Sequence, residues 1–223
     1  MNLDKQIVAV DLFCGVGGLT HGLTRAGINV RLGIDIDPAC QFPMEENNAA
    51  SFMLADVGQL SPFDIKAALD GAPITLMAGC APCQPFSSYS QSARREAPHS
   101  DWGLLASFSS LVRAVRPTLV TVENVPPLQR EPIFKEFVQN LSATGYHLDY
   151  RIVDGRGIGL PQKRQRLVLV ASLLGPVSIP DAERDTVTVR DAISGLPPLE
   201  AGESDPLDPL HVAASLSDLN LAR

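Results

Sequence analysis

The sequence contains no apolar run long enough to cross a bilayer. Its longest apolar stretches, residues 73–78 and 167–174, fall well short of the ~20 residues that a transmembrane helix needs. The N-terminus also lacks the basic segment, apolar core and small-residue cleavage site of a secretion signal, because Asp4 and Lys5 precede a short strand-like run that ends in an acid. These absences predict a cytoplasmic protein.

Cysteine is scarce: the chain of 223 residues has four, at Cys14, Cys40, Cys80 and Cys83. Without an export signal these are not expected to form a disulfide framework, because cytosolic thiols are kept reduced. At least one of them is therefore a candidate for a reactive thiol.

Positive charge is also lacking, since the formal net charge is -7. Proteins that bind nucleic acid gain much of their affinity from Lys and Arg that neutralise phosphates. Basic residues gather only locally here, at Lys163, Arg164 and Arg166, whereas about the last forty residues are rich in acids. Any DNA contact must come from a local basic patch or from a part that this chain does not contain.

Short β-branched runs alternate with amphipathic segments of helical length. Strands are predicted at residues 7–10, 29–34, 51–54, 74–78, 118–122 and 166–171, and helices at residues 18–26, 38–48, 62–70, 102–115 and 131–144. This alternation predicts an α/β fold with a doubly wound, mostly parallel sheet and helices on both faces. No internal repeat interrupts it.

The character of the chain changes after Ser172, where prolines become frequent and residues 189–193 form the one short helix candidate. We therefore predict a catalytic domain over residues 1–175. Residues 176–223 are predicted to be a proline-rich tail, or a linker toward a further domain.

A glycine-rich turn follows the first predicted strand, which ends at Asp11. The spacing G-x-G-G differs from the dinucleotide motif G-x-G-x-x-G because Thr20 stands where the third glycine would be, which argues against NAD. Taken alone, such a turn is as compatible with a tight bend as with a ligand loop.

Acidic residues at the ends of the second and third predicted strands favour a ligand site. Asp35 lies about twenty residues after the turn, where an acid can bind ribose hydroxyls. Asp37 fits better as a cap for the helix that opens at Pro38. Asp56 follows the third strand and could accept a hydrogen bond from an adenine amino group, so three strand ends indicate a nucleoside-like ligand.

Cys83 lies in a loop that Pro82 and Pro85 stiffen, directly after a buried strand. A redox Cys80-x-x-Cys83 pair is an alternative, although such a motif should open a helix. A zinc site would need further ligands at close spacing, and the other cysteines and the four histidines are scattered, so no metal is predicted. A purely structural cysteine is the third alternative, but it does not explain the flanking prolines.

Four segments in order resemble the motifs of the DNA cytosine-5 methyltransferase family. They are D-L-F-C-G-V-G-G at residues 11–18, G-C-A-P-C-Q-P-F-S at residues 79–87, E-N-V at residues 123–125 and Q-K-R-Q-R at residues 162–166. The resemblance covers about three quarters of the chain. It implies a Rossmann-like class I methyltransferase fold, S-adenosyl-L-methionine as cofactor and double-stranded DNA as substrate.

The resemblance also implies a role for each matching residue. Cys83 would be the nucleophile that adds to C6 of a flipped cytosine, Glu123 would bind the base at N3 and its amino group, and Arg164 and Arg166 would hold Glu123, the base carbonyl and a phosphate. The cofactor contacts implied are Asp11, Phe13, Gly15, Gly17, Gly18, Asp35, Ile36, Asp56, Pro82 and Leu105. The DNA contacts implied are Gln84, Ser87 and Gln162.

The chain departs from the family pattern after the arginine motif, where a complete enzyme continues into a target-recognition region and a late motif. Their absence predicts either a truncated enzyme or one subunit of a split enzyme, whose second chain supplies recognition. A catalytically silent S-adenosylmethionine-binding remnant and an RNA cytosine methyltransferase remain as alternatives.

Overall fold

A seven-stranded sheet forms the centre of the computed structural model, which describes residues 7–82, 102–181 and 184–222. The strands are β1 (Ile7–Leu12), β2 (Asn29–Asp35), β3 (Ser51–Leu54), β4 (Ile74–Gly79), β5 (Leu119–Asn124), β6 (His147–Asp154) and β7 (Gln165–Ser172). Their order across the sheet is β3-β2-β1-β4-β5-β7-β6. The first five strands pair in parallel, and β7 runs antiparallel to both β5 and β6. The predicted α/β fold with a mostly parallel sheet is confirmed.

Helices follow most of the strands, as the chain must cross back before it can add a parallel strand. They are α1 (Gly18–Arg25), α2 (Gln41–Asn47), α3 (Pro62–Ala68), α4 (Trp102–Val115), α5 (Pro132–Ala143), α6 (Val189–Ile193) and α7 (Asp218–Leu221). Short 3-10 turns precede α2 and α5, at Pro38–Cys40 and Pro126–Arg130, and others occur at Val57–Gln59 and Gly155–Ile158.

The two faces of the sheet carry separate apolar cores, because successive side chains of a strand point to opposite faces. On β1, Val10 and Leu12 join the larger core, whereas Ala9 joins the smaller one. In the larger core the rings of Phe108 and Phe137 meet edge to face, with centroids 6.0 Å apart, and so join α4 to α5. Burial on both faces explains why these strands are almost wholly apolar.

Contacts divide the chain into two compact units. The first comprises the described parts of Met1–Asp154 and Arg164–Ala182, which include the whole sheet, and the second comprises those of Gly155–Lys163 and Glu183–Arg223. In the second unit α6 begins with a capping box, in which Thr188 and Asp191 each accept a hydrogen bond from the backbone N–H of the other. The boundary at residue 175 between a catalytic domain and a tail or linker stays a prediction.

Every strand and helix predicted above is present, with ends that differ by no more than a few residues. Two elements, β6 and α7, were not predicted from the sequence. β6 was missed because it lies at the sheet edge and its polar residues, such as Asp149 and Arg151, interrupt the apolar pattern. Within the described ranges, no helix is long and apolar enough to span a membrane.

Candidate active site

Asp11, Asp35 and Glu123 lie at the carboxyl ends of β1, β2 and β5, and Pro82 follows the end of β4. The strand order turns around between β1 and β4, and ligands of doubly wound sheets bind in the crevice at such a point. The glycine turn leaves β1 there, and the segment that leads to Cys83 leaves β4 beside it.

The turn after β1 has an unusual backbone. Phe13, Gly15 and Gly17 have positive φ angles of 61°, 52° and 88°. At Gly17 an added Cβ would lie 2.5 Å from Nδ2 of Asn48, so a side chain would need both a strained backbone and a displaced neighbour. A positive φ at a residue as bulky as Phe13 is uncommon, and such strain concentrates at functional sites.

Asp11 lies fully buried at the end of β1. Its Oδ2 accepts a 2.8 Å hydrogen bond from the hydroxyl of Thr20, whereas its buried Oδ1 has no partner among the described residues. Burial raises the pKa of Asp11 to about 6, against the opposing effect of the hydrogen bonds from Thr20. An unpaired buried carboxylate oxygen is costly and therefore a candidate for a ligand contact.

The three acids after β2 and β3 are each held by nearby groups. Asp35 accepts the backbone N–H of Gly15 at 2.9 Å through Oδ2 and that of Asp37 at 3.0 Å through Oδ1. Asp37 caps the 3-10 turn by accepting from Ala39 N, which confirms its predicted capping role. Asp56 caps the turn at Val57–Gln59 by accepting from Gly58 N. Asp35 thus ties the glycine turn of β1 to the end of β2.

The other predicted cofactor contacts differ in exposure. Gly18 and Pro82 are exposed, and the side chain of Ile36 is open to solvent at 67%. Leu105 is only 4% exposed and belongs to the larger core, where it also lines a small cavity between α4 and α5. The low exposure of Leu105 therefore does not support the predicted contact with the cofactor.

Glu123 and Arg166 form an ion pair at the site, with Nε of Arg166 2.7 Å from Oε1 of Glu123. The register explains this ion pair. Glu123 lies opposite Val168, and Arg166 lies two residues before Val168 on the same face of the sheet. Both side chains are about a quarter exposed, so solvent screens the pair in part. Arg164 is exposed and lies directly before β7, whereas Arg166 lies within the strand.

The segment from Cys80 to Pro82 is fixed from both sides. The backbone N–H of Cys80 donates to the carbonyl of Leu12 at 3.3 Å, and the side-chain amide of Asn124 donates to the carbonyl of Ala81 at 3.0 Å. Gly79 allows this close approach, because an added Cβ there would lie 2.8 Å from the ring of Phe108. The chain thus leaves β4 from a rigid base.

Three predicted residues, Cys83, Gln84 and Ser87, lie outside the described residues. Gln162 is described and exposed, and it belongs to the second unit.

Three residues at the site were not assigned a role from the sequence. Thr20 bonds Asp11, Asn124 holds Ala81, and the Sγ atom of Cys80 lies 2.7 Å from Oε2 of Glu123. Their positions in the sequence were the signal that could have revealed them. Thr20 stands where a dinucleotide motif has its third glycine, and Asn124 and Cys80 lie within the motifs that contain Glu123 and Cys83.

The described thiols are not activated. Burial, and then the nearby Asp11 and Asp35, raise the pKa of Cys14 to about 12. Among the described residues, no group of histidines, cysteines and acids is arranged to hold a metal ion. Within the described part of the chain, the side chains at the site are carboxylates, an arginine, a threonine, an asparagine and a neutral thiol.

Comparison with known proteins gives a consistent family. The C-5 cytosine-specific DNA methylase family matches residues 7–192. The type II methylase M.HgiDII of Herpetosiphon aurantiacus is 38% identical, over 96% of this chain and 61% of its own length. The type II methyltransferase M.XorII of Xanthomonas oryzae is 28% identical, over 87% of this chain and 47% of its own.

A solved structure assigned as a prophage-encoded DNA modification methyltransferase (E. coli) superposes with a TM-score of 0.73 at 28% identity. The match covers 89% of this chain and 57% of that one. This chain thus spans between 47% and 61% of the length of these three proteins. By the family match and by its identity to M.HgiDII, the chain belongs to the C-5 cytosine-specific DNA methylases.

Proposed function

We propose that this chain transfers a methyl group from S-adenosyl-L-methionine to C5 of a cytosine in double-stranded DNA, through a covalent adduct with Cys83. The target sequence would be recognised by a further part, either a continuation of the polypeptide or a second chain. Membership of the family and the names of its type II relatives support DNA methylation within restriction-modification.

The observation that carries the proposal is the Glu123–Arg166 pair beside the segment that leads to Cys83. The side chain of Asn124, the neighbour of Glu123, holds Ala81 two residues before Cys83. An acid with a charged partner therefore stands next to the segment that leads to the proposed nucleophile. This proximity suits a reaction in which one group binds the ring while another attacks it.

The residues at β1 and β2 fit S-adenosylmethionine. Its ammonium group suits the unpaired buried oxygen of Asp11, its ribose hydroxyls suit the remaining lone pairs of Asp35, and its adenine suits the exposed apolar side chain of Ile36. The chemistry that this cofactor supplies when bound is an electrophilic methyl group.

On the base side, the sulfur of Cys83 would form a bond to C6 of cytosine, which turns C5 into a nucleophile. Glu123 would hold N3 and the exocyclic amine, and donate a proton as negative charge builds on the ring. Arg166 fixes the orientation of Glu123 and adds positive charge close to the base. After methylation a base takes the proton from C5, the C–H electron pair forms the C5–C6 double bond, and the sulfur leaves C6 as a thiolate. N3 returns its proton to Glu123, which frees the methylated base.

DNA binding by this chain would rest on a local patch. The chain has a net charge of -7, so most phosphate contacts must come from elsewhere. Arg164 is exposed and stands before β7, and we propose that it contacts a phosphate. Gln84, Ser87 and Gln162 stay DNA contacts that the family resemblance implies. The remaining positive charge would come with the recognition part.

A tritium transfer assay tests the proposal, using this chain alone and combined with the part that supplies recognition, either as a continuation of the polypeptide or as a second recognition chain. Methylation is expected in duplex DNA, and Cys83→Ser should abolish it while calorimetric S-adenosylmethionine affinity stays within about threefold, since the thiol serves the base. Glu123→Gln should lower kcat by about a hundredfold or more. Glu136→Gln, at an exposed position on α5, is the matched control and should leave kcat unchanged.

Other outcomes separate the alternatives. Cofactor binding without an adduct to DNA that contains 5-fluorocytosine, even with the recognition chain present, would identify a silent binding module. Transfer to tRNA in place of duplex DNA would identify an RNA methyltransferase. Absence of cofactor binding under both conditions would refute the proposal.

A further inference from the structure

Cys80 makes a side-chain contact that the proposed reaction does not use. It is the first residue after β4, and its Sγ lies 2.7 Å from Oε2 of Glu123. The other carboxylate oxygen, Oε1, is held by Nε of Arg166. Each oxygen of Glu123 is therefore held by a donor from a different neighbour in the sheet, β4 on one side and β7 on the other.

The contact requires Cys80 in its neutral form. Desolvation, followed by the hydrogen bond and the charge of Glu123, raises the pKa of this thiol to about 12, although Arg166 acts in the opposite direction. A thiolate this close to a carboxylate would be repelled, whereas a neutral thiol can donate a hydrogen bond to Oε2 of Glu123. Cys80 is thus a hydrogen-bond donor and not a nucleophile.

We propose that Cys80 is a positioning residue for Glu123. The proposal rests on the proposed function, in which Glu123 binds the cytosine ring. Two donors in different directions define the plane of the carboxyl group. Each oxygen keeps a second site for the base, one that accepts from the exocyclic amine and one that can carry the proton for N3. The glutamate is then oriented before the base arrives, which spares the reaction the entropy of ordering it.

Cys80 also connects Glu123, which would bind the cytosine ring, to the segment that carries Cys83. Its backbone N–H is bonded to Leu12, and Cys83 follows it by three residues in the chain. The same residue therefore orients the acid that binds the ring and begins the segment that carries the nucleophile. A loss of the thiol should misalign Glu123 without disturbing the turn that serves the cofactor.

The first test measures the contact without any methylation. Alkylation of Cys80 by N-ethylmaleimide at pH 8, followed by peptide mass spectrometry, should be slow in the full chain. Glu123→Gln removes the neighbouring negative charge and should raise the rate about threefold to tenfold. Glu136→Gln is the matched control and should leave the rate unchanged. An equal rate in the Glu123→Gln chain would show that the contact does not exist in solution.

The second test is a double-mutant cycle on methyl transfer, with the recognition chain present. Cys80→Ala should lower kcat/KM for DNA about tenfold, as for one lost hydrogen bond to a charged group, and Cys80→Ser should recover most of it because a hydroxyl also donates. In the Glu123→Gln background Cys80→Ala should have no further effect. Equal losses in both backgrounds would overturn the positioning role.

The two tests separate failure of this inference from failure of the proposed function. If the unmodified chain with its recognition partner methylates no DNA, the proposed function fails and the positioning role fails with it, whatever the alkylation rates. If it methylates DNA but Cys80→Ala has full activity, only the positioning role is overturned. When the unmodified chain is active, the KM for S-adenosylmethionine is expected to be unchanged in the Cys80→Ala chain.

Discussion

The side-chain amide of Asn124, at the end of β5, donates a 3.0 Å hydrogen bond to the backbone carbonyl of Ala81, which follows β4. Its own carbonyl accepts from Val125 N at 2.8 Å, so both ends of this buried amide are used. One side chain thereby joins the segment that follows β4 to the strand that carries Glu123.

Replacement of Asn124 by aspartate keeps the acceptor for Val125 N but removes the donor to Ala81. We expect Asn124→Asp to lower the free energy of unfolding by about 1–3 kcal/mol, because a buried carbonyl loses its partner and a charge is buried. Methyl transfer should fall further than cofactor affinity. Urea denaturation and calorimetry measure both, and Asn220→Ala, at an exposed position in α7, should change neither. Stability equal to that of the unmodified chain would contradict the structural role.

Asp35 and Asp37 offer a matched pair. Asp35→Asn replaces one of two accepting oxygens by an NH₂ group that faces a backbone N–H, of Gly15 or Asp37, so the glycine turn loses an anchor. We expect S-adenosylmethionine affinity to fall about tenfold or more by calorimetry. Asp37→Asn keeps an oxygen for Ala39 N and should change the affinity less than about twofold. Equal effects of the two substitutions would argue against a ribose contact by Asp35.

The raised pKa of Asp11 predicts that the free energy of unfolding depends on pH. Its pKa is raised from 3.8 to about 6 by burial, so the native state holds this proton more tightly than the unfolded chain does. Its contribution is fully present below pH 3.8 and is lost as the pH rises through about 6, a loss of about 3 kcal/mol in total. Urea denaturation from pH 4 to 7 should show a flatter profile for Asp11→Asn.

The control for Asp11 is Asp70→Asn, at an exposed position, which should keep the slope of the unmodified chain. An Asp11→Asn chain with that same slope would show that another group causes the dependence.

Arg116 directly follows α4 and has a positive φ of 57°, and its N–H donates to the carbonyl of Val112 at 2.8 Å. A left-handed residue after a helix favours glycine, because a Cβ costs energy there. We expect Arg116→Gly to raise the free energy of unfolding by up to about 1 kcal/mol. Arg113→Gly, within the last turn of the same helix, should lower it by about 1 kcal/mol. A loss of stability in Arg116→Gly would contradict the assigned conformation.

The sequence predicted the sheet well because β1, β4 and β5 are short, β-branched and bounded by turns. It failed at β6, whose alternation is weak and whose antiparallel pairing with β7 has no local signal. It placed Asp11, Asp35 and Glu123 near one another because strand order in a doubly wound sheet brings those ends to one crevice. The cofactor contact implied for Leu105 stays a prediction, and only the structure shows that this side chain is buried in the larger core.

The order of the motifs and the type of each reactive group were determined by the sequence alone, because the chemistry of a thiol, an acid or a guanidinium belongs to the residue wherever it folds. Which groups touch was decided by the tertiary structure. Cys80, Glu123 and Arg166 are far apart in the chain, and only the pairing of β4, β5 and β7 brings a neutral thiol and a guanidinium to the two oxygens of one carboxylate.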